Sequence, residues 1–170
     1  MKIHFRKIAN ADGPTAIVEK LDISGAVKGR KDITSVSPLS VELNALPAGA
    51  DTVHVAGKLG AETVMLCSRC LTPVELELDI PFDETFKWMK QPEEPDGEEE
   101  DLINVQDEMI DLVPYVEESF QLNLPISVLC KQDCRGLCQT CGQNLNEGSC
   151  DCDNTVIDPR LAGLKDFFNK

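Results

Sequence analysis

The chain has 170 residues, 42% of them hydrophobic, which suits one folded domain with a real core. Its formal charge of -14 argues against a partner held simply by neutralising phosphates, because that affinity comes from Lys and Arg displacing counterions. No apolar run approaches the roughly 20 residues that span a bilayer, and the start MKIHFRKIANADG lacks the apolar stretch of a secretory signal. No membrane association and a cytoplasmic location are therefore expected.

The first part reads mostly as strands: VELNAL near Val41, DTVHVAGKL near Asp51, AETVML from Ala61 and VELELDIPF from Val74. In the last of these, Val74, Leu76, Leu78 and Ile80 alternate with Glu75, Glu77 and Asp79, the period of a strand with one buried and one wet face. The segment Cys67 to Pro73 is short enough to join antiparallel neighbours, so its CxxC pair is expected at a hairpin tip.

Around Gln91 the composition changes to QPEEPDGEEED, whose like charges repel and cannot bury apolar surface, so a flexible linker or solvated loop is expected. The excess charge concentrates here: Asp83 to Glu118 carries 14 acids against 2 bases, whereas Met1 to Phe82 carries 10 against 9 and Ser119 to Lys170 carries 6 against 5. Asp111 to Leu122 reads as a helix capped by Asp111, with Leu112, Tyr115, Val116, Ser119 and Phe120 on one face and Glu117 and Glu118 on the wet side. At the end of the chain Asp158 and Pro159 signal a helix start, and Leu161, Leu164, Phe167 and Phe168 form its apolar stripe.

These elements predict an α+β fold: a small twisted antiparallel sheet with a few helices and a cysteine-rich, zinc-binding C-terminal tail. The expected organisation is a mainly β domain over 1–90 with the CxxC hairpin, an acidic linker or loop over 91–106, and a helix and connection over 107–128. A zinc-binding segment over 129–155 and a C-terminal helix over 156–170 complete it. Strand order and oligomeric state are not legible at this level.

The cysteines carry the clearest chemistry. In a reducing compartment they are metal-bound, catalytic or buried, and their spacing falls into four close pairs: Cys67 with Cys70, Cys130 with Cys134, Cys138 with Cys141, and Cys150 with Cys152. A CxxC turn aims both thiolates at one tetrahedral ion while backbone N–H groups spread their charge. Gly142 permits the backbone such a knuckle needs. Six cysteines between Cys130 and Cys152 leave little apolar material for a core, so metal would have to stand in, at about 10 to 16 kcal/mol per structural zinc.

The favoured arrangement puts Cys67, Cys70, Cys130 and Cys134 around one zinc and Cys138, Cys141, Cys150 and Cys152 around another. A single zinc in the tail, with the hairpin pair free or redox-active, is the competing arrangement, and an iron–sulfur cluster is a third. No catalytic residues are found. The two histidines, His4 near the terminus and His54 in a strand, belong to no ligand spacing, and the glycines match neither the P-loop nor the dinucleotide fingerprint. A binding or assembly protein is expected, not an enzyme.

The tail LCKQDCRGLCQTCGQNLNEGSCDC followed by DPRLAGLKDF, the hairpin CSRCLTPVELEL, the acidic middle and the helix before LNLPISVLC resemble, in that order, the YceD family of large ribosomal RNA subunit accumulation proteins. The resemblance implies a cytoplasmic accessory factor for synthesis, processing or stability of large-subunit (23S-type) ribosomal RNA. Its implied partner is that RNA or a ribosomal or assembly protein. Candidate RNA contacts are Lys28, Arg30, Lys31, Lys58, Arg69, Lys131 and Arg135. The alternatives are an acidic module that holds a basic ribosomal protein, and a thiol redox protein.

Overall fold

A computed structural model describes residues 1–49, 51–89 and 102–153. Most of the acidic segment and the helix expected over 156–170 lie outside the described residues. Strand β1 (Lys2–His4) leads into helix α1 (Phe5–Ala9), followed by β2 (Thr15–Leu21), β3 (Ile33–Val36) and β4 (Leu39–Pro47). Next come β5 (Thr52–Leu66), β6 (Pro73–Trp88), β7 (Leu102–Val105), β8 (Met109–Asp111) and helix α2 (Val113–Asn123).

The main sheet runs β2-β4-β5-β6-β7, with β3 pairing the distal part of β5 beyond the end of β4. Its spine is the β5–β6 hairpin, in register from Thr52 opposite Lys87 to Leu66 opposite Pro73. The alternation expected in VELELDIPF is present, with Val74, Leu76 and Leu78 half-buried and Ile80 and Phe82 buried, and it continues through β4 and much of β5. Val41, Leu43, Val53, Val55, Leu59, Ile80, Phe82 and Phe86 are buried on one face, while Lys58, Glu62, Glu75, Glu77, Asp79 and Asp83 are exposed on the other. Fully burying one such apolar side chain stabilises the fold by about 1.5–3 kcal/mol. The buried face is covered by Phe5 and Ile8 of α1, by Leu112, Val116 and Phe120 around α2, and by Ile23 from the loop after β2. Tyr115 meets Phe86 edge-on, with ring centroids 5.1 Å apart.

Several expectations change. The fold is mostly strand, not a balanced α+β arrangement, and among the described residues the only helices are α1 and α2. The segments DTVHVAGKL and AETVML are one 15-residue strand. Gly57, inside the expected strand DTVHVAGKL, is needed there because a Cβ would collide with the Glu42 carbonyl oxygen of β4. β1, β2 and β3 carried no local signal, and β7 joins β6 in parallel, so the sheet is not wholly antiparallel. Residues 102–105 of the segment read as a linker thus pair as a strand.

Helix α2 begins at Val113 with Leu112 as its cap residue, although Asp111 still accepts the Val113 N–H at 3.1 Å. Glu118 is exposed as expected, whereas Glu117 is half-buried. His4, at the junction of β1 and α1, is half-buried, and its Nδ1 has no hydrogen-bond partner.

Candidate metal centre

The hairpin connection from Cys67 to Thr72 folds as a tight knuckle. The Leu71 N–H donates to the Cys67 carbonyl (2.9 Å), the Cys67 N–H donates to the Thr72 carbonyl (2.8 Å), and Leu71 takes a left-handed φ of 59°. The turn at Cys138 repeats this geometry. Gly142 N–H donates to the Cys138 carbonyl (2.9 Å), Cys138 N–H donates to the Gln143 carbonyl (2.8 Å), and Gly142 has φ 75°. Two segments of unrelated surroundings thus adopt one turn, which aims the first and fourth side chains to the same side.

Tertiary contacts bring the tail to the hairpin tip. Ser68 donates its N–H to the Val128 carbonyl (2.8 Å), and its Oγ accepts the Val128 N–H (3.2 Å). Arg69 grips the next stretch twice: Nη1 donates to the Cys134 carbonyl (2.8 Å), and its own carbonyl accepts the Leu137 N–H (3.1 Å). Between those contacts Gly136, at φ 76°, lies so close that a Cβ would stand 3.0 Å from the Arg69 oxygen.

The result is two groups of four sulfurs. Cys67, Cys70, Cys130 and Cys134 form one group and Cys138, Cys141, Cys150 and Cys152 the other, the Sγ atoms of each lying within 4.8 Å of one another. Either group could hold a metal ion. In the first, Cys67 and Cys134 Sγ are 3.8 Å apart and Cys70 and Cys130 Sγ 3.5 Å apart. A tetrahedral zinc with bonds of about 2.3 Å places its thiolates about 3.8 Å apart, whereas a disulfide needs about 2.05 Å. None of the eight cysteines is joined to another by a disulfide.

Charge within the first group is uneven. Burial pushes the Cys67 thiol up, but the backbone N–H groups of Cys130, Arg69 and Cys70, with the Cys70 side chain, together bring it down to about 6. The Thr72 hydroxyl, 3.1 Å away, and the Thr72 N–H lower Cys70 as well. Cys130 is pushed up to about 12, first by its hydrogen bond with Cys70, then by burial and the other sulfurs. Cys152 rises to about 12 through Cys141, burial and Cys138. At Cys150 the Cys152 N–H pulls down, but the Cys138 side chain and burial prevail and raise it. In the first group, backbone N–H groups thus favour thiolate at Cys67 and Cys70, while the neighbouring sulfurs disfavour a further negative charge at Cys130.

Asn146 joins the two groups, and nothing in the sequence marked it. Its Nδ2 donates to Cys134 Sγ at 3.4 Å, and its Oδ1 accepts the Arg135 N–H at 2.9 Å. Asn146 lies in the loop between Cys141 and Cys150, so it carries a second-group segment onto a first-group sulfur.

The basic candidates divide. Lys28, Lys31, Lys58, Lys131 and Arg135 are exposed. Arg30 is committed to Asp32 at 2.6 Å and to the Pro125 carbonyl at 3.1 Å, and Arg69 to the tail. His54 bonds Asp83 at 2.9 Å on the wet face of the sheet.

Sheet, hairpin tip and cysteine-rich tail together define a β-sheet protein with two closed four-thiol clusters. The YceD family model, described as large ribosomal RNA subunit accumulation protein YceD, matches residues 55–168, and the chain belongs to that family. An uncharacterized protein of Mycobacterium tuberculosis is 30% identical over 185 residues, covering 95% of this chain and 89% of that protein. The uncharacterized protein YlbN of Bacillus subtilis is 27% identical, over 89% of this chain and 87% of its own length. A chloroplastic large ribosomal RNA subunit accumulation protein YCED homolog 1 of Arabidopsis thaliana is 37% identical over 43 residues, 25% of this chain and 13% of that protein. No solved structure matches the chain significantly.

Proposed function

We propose that this protein is a non-enzymatic, cytoplasmic ribosome-biogenesis factor supporting synthesis, processing or stability of large-subunit ribosomal RNA, with each four-cysteine cluster holding a structural zinc. The observation that supports the zinc is the sulfur spacing, 3.5 and 3.8 Å, on turns whose N–H groups already stabilise thiolate. In this reading zinc supplies cross-linking, not catalysis: four thiolates close its coordination, leaving no position for substrate. Cys67 and Cys70 anchor the tail to the β5–β6 tip through Cys130 and Cys134, and the second cluster folds residues 138–152 on itself. The family description supports the RNA role.

Native mass spectrometry on protein purified without added metal tests the first half. Two zinc ions per chain are expected; none, or one ion together with a reversible disulfide, would overturn it. Depletion in the native cell tests the second half. Mature large-subunit RNA should fall relative to small-subunit RNA, and an unchanged ratio would defeat the proposal.

A further inference from the structure

Strand β6 is bonded along its whole length to β5 on one side, but β7 covers its other side only from Thr85 to Trp88. From Pro73 to Glu84 no strand among the described residues pairs with that outer edge. The row of backbone donors and acceptors there is a template for another strand. Pro73 and Pro81, each lacking an N–H, lie within this strand and are exposed, in keeping with its position at an edge.

The same stretch is acidic, and its basic neighbours on β5 are Lys58, opposite Pro81, and His54, which bonds Asp83 at 2.9 Å. Between Pro73 and Glu84 stand Glu75, Glu77, Asp79, Asp83 and Glu84, with no Lys or Arg. Glu75, Glu77, Asp79 and Asp83 all project from the wet face of the sheet, and Glu77 is directly opposite Glu62 of β5. Like charges directly opposite in a sheet are destabilising. Alternate residues on a strand are about 6.7 Å apart, closer than the screening length of about 8 Å at physiological salt. Among the described residues Glu62, Glu75, Glu77 and Asp79 have no ion-pair partner. Beside them a depression of about 650 Å³ opens on this face, lined in part by Ser35, Ser37, Glu62, Glu75 and Glu77. On the opposite face Glu84 sits near Glu118 of α2, so both sides of the edge present negative charge.

We infer that the open edge of β6, from Val74 to Glu84, binds an extended basic segment of a partner protein by strand addition. The ladder groups supply affinity for any extended chain, and the acids choose which chain. A second copy of β6 would bring the same row of carboxylates against itself, and a nucleic acid would bring phosphates, so both are disfavoured by the same charge. Lys or Arg at alternate positions of the incoming strand would relieve the repulsion along β6 and across to Glu62. The assignment concerns a surface on the side of the sheet away from the apolar core, and it stands apart from the metal and RNA readings.

The test uses the full chain and a 12-residue peptide alternating lysine and valine, followed by calorimetry and by amide hydrogen exchange of β6. Wild-type protein should bind this peptide and not a glutamate–valine counterpart, with alternate amides of residues 74–84 gaining protection. The double variant Glu77→Lys, Asp79→Lys should bind at least tenfold more weakly, whereas Glu42→Lys, on β4 of the same face, should change affinity less than twofold. Peptides N-methylated at alternate residues, one for each pattern, keep every charge but lose ladder donors. One of the two should lose at least tenfold, and because this arm uses wild-type protein, misfolding of a variant leaves it intact. Equal binding of both methylated peptides, equal binding of the acidic peptide, no binding, edge-to-edge dimers, or preference for an RNA oligonucleotide over the basic peptide would each overturn the inference.

Discussion

Replacing Gly136 with alanine should harm the cysteine-rich tail more than replacing Gly142, although the two glycines share almost the same backbone conformation, φ 76° and 75°. A left-handed conformation costs an L-residue about 1 kcal/mol, so both variants carry that term. They differ in what the new methyl meets. At Gly142 nothing lies within 4 Å; at Gly136 the Cβ would be 3.0 Å from the Arg69 carbonyl oxygen and 3.4 Å from its Cβ. Relief requires Arg69 and the tail to separate by a few tenths of an ångström, which weakens the hydrogen bond from Leu137 N–H to the Arg69 carbonyl at 3.1 Å. Losing that bond costs about 1 kcal/mol more. Gly142→Ala should therefore lower stability by about 1 kcal/mol and Gly136→Ala by about 2, roughly fivefold and thirtyfold in the equilibrium. Urea unfolding at fixed free zinc, with competition against a chromophoric chelator for metal affinity, measures both. Equal effects, or a larger loss for Gly142→Ala, would refute the claim that the Arg69 contact docks the tail.

Stripping metal with a strong chelator should release residues 128–152 while the main sheet stays folded, because the core of the sheet draws on α1, α2 and the loop after β2 and not on the clusters; loss of the β5 and β6 amide signals in a nuclear magnetic resonance spectrum would contradict this. Glu84 is held above its ordinary 4.5, first by burial and then by Glu118 and Asp83. Because its folded pKa is raised, the folded state holds this proton more firmly than the unfolded chain does, and stability falls as pH rises through the folded value. Glu84→Gln should flatten the acid side of the stability profile and leave the variant more stable than wild type at pH 7, as read from urea midpoints across pH; a less stable variant at pH 7 would be the opposite result. Arg30→Lys keeps the charge but loses the paired bonds to Asp32, at 2.6 and 2.8 Å, and the reach to Pro125, so it should cost about 1 kcal/mol in thermal unfolding. Lys28→Ala and Lys31→Ala, both at exposed positions, should leave the same melting curve unchanged.

Local spacing along the chain encodes some of these elements outright. Alternation along Val74 to Ile80 specified a strand with one wet face, and the run Leu112, Val116, Phe120 specified a helix face, because periods of two and of 3.6 are properties of a single element. The close cysteine pairs likewise announced themselves, since a CxxC turn is made by residues next to one another in the chain. β1, β2 and β3 were invisible because they are short or solvent-facing and exist only through their partners; Val18 of β2 is 72% exposed. The segments DTVHVAGKL and AETVML read as two strands, whereas the structure joins them, and at Gly57 close packing against the Glu42 carbonyl of β4 leaves no room for a side chain. Only the tertiary structure could decide that Cys67 and Cys70 meet Cys130 and Cys134, some 60 residues away in the chain. That meeting depends on Ser68 pairing with Val128 and Arg69 holding Cys134, contacts between segments whose order in the chain carries no trace of their approach.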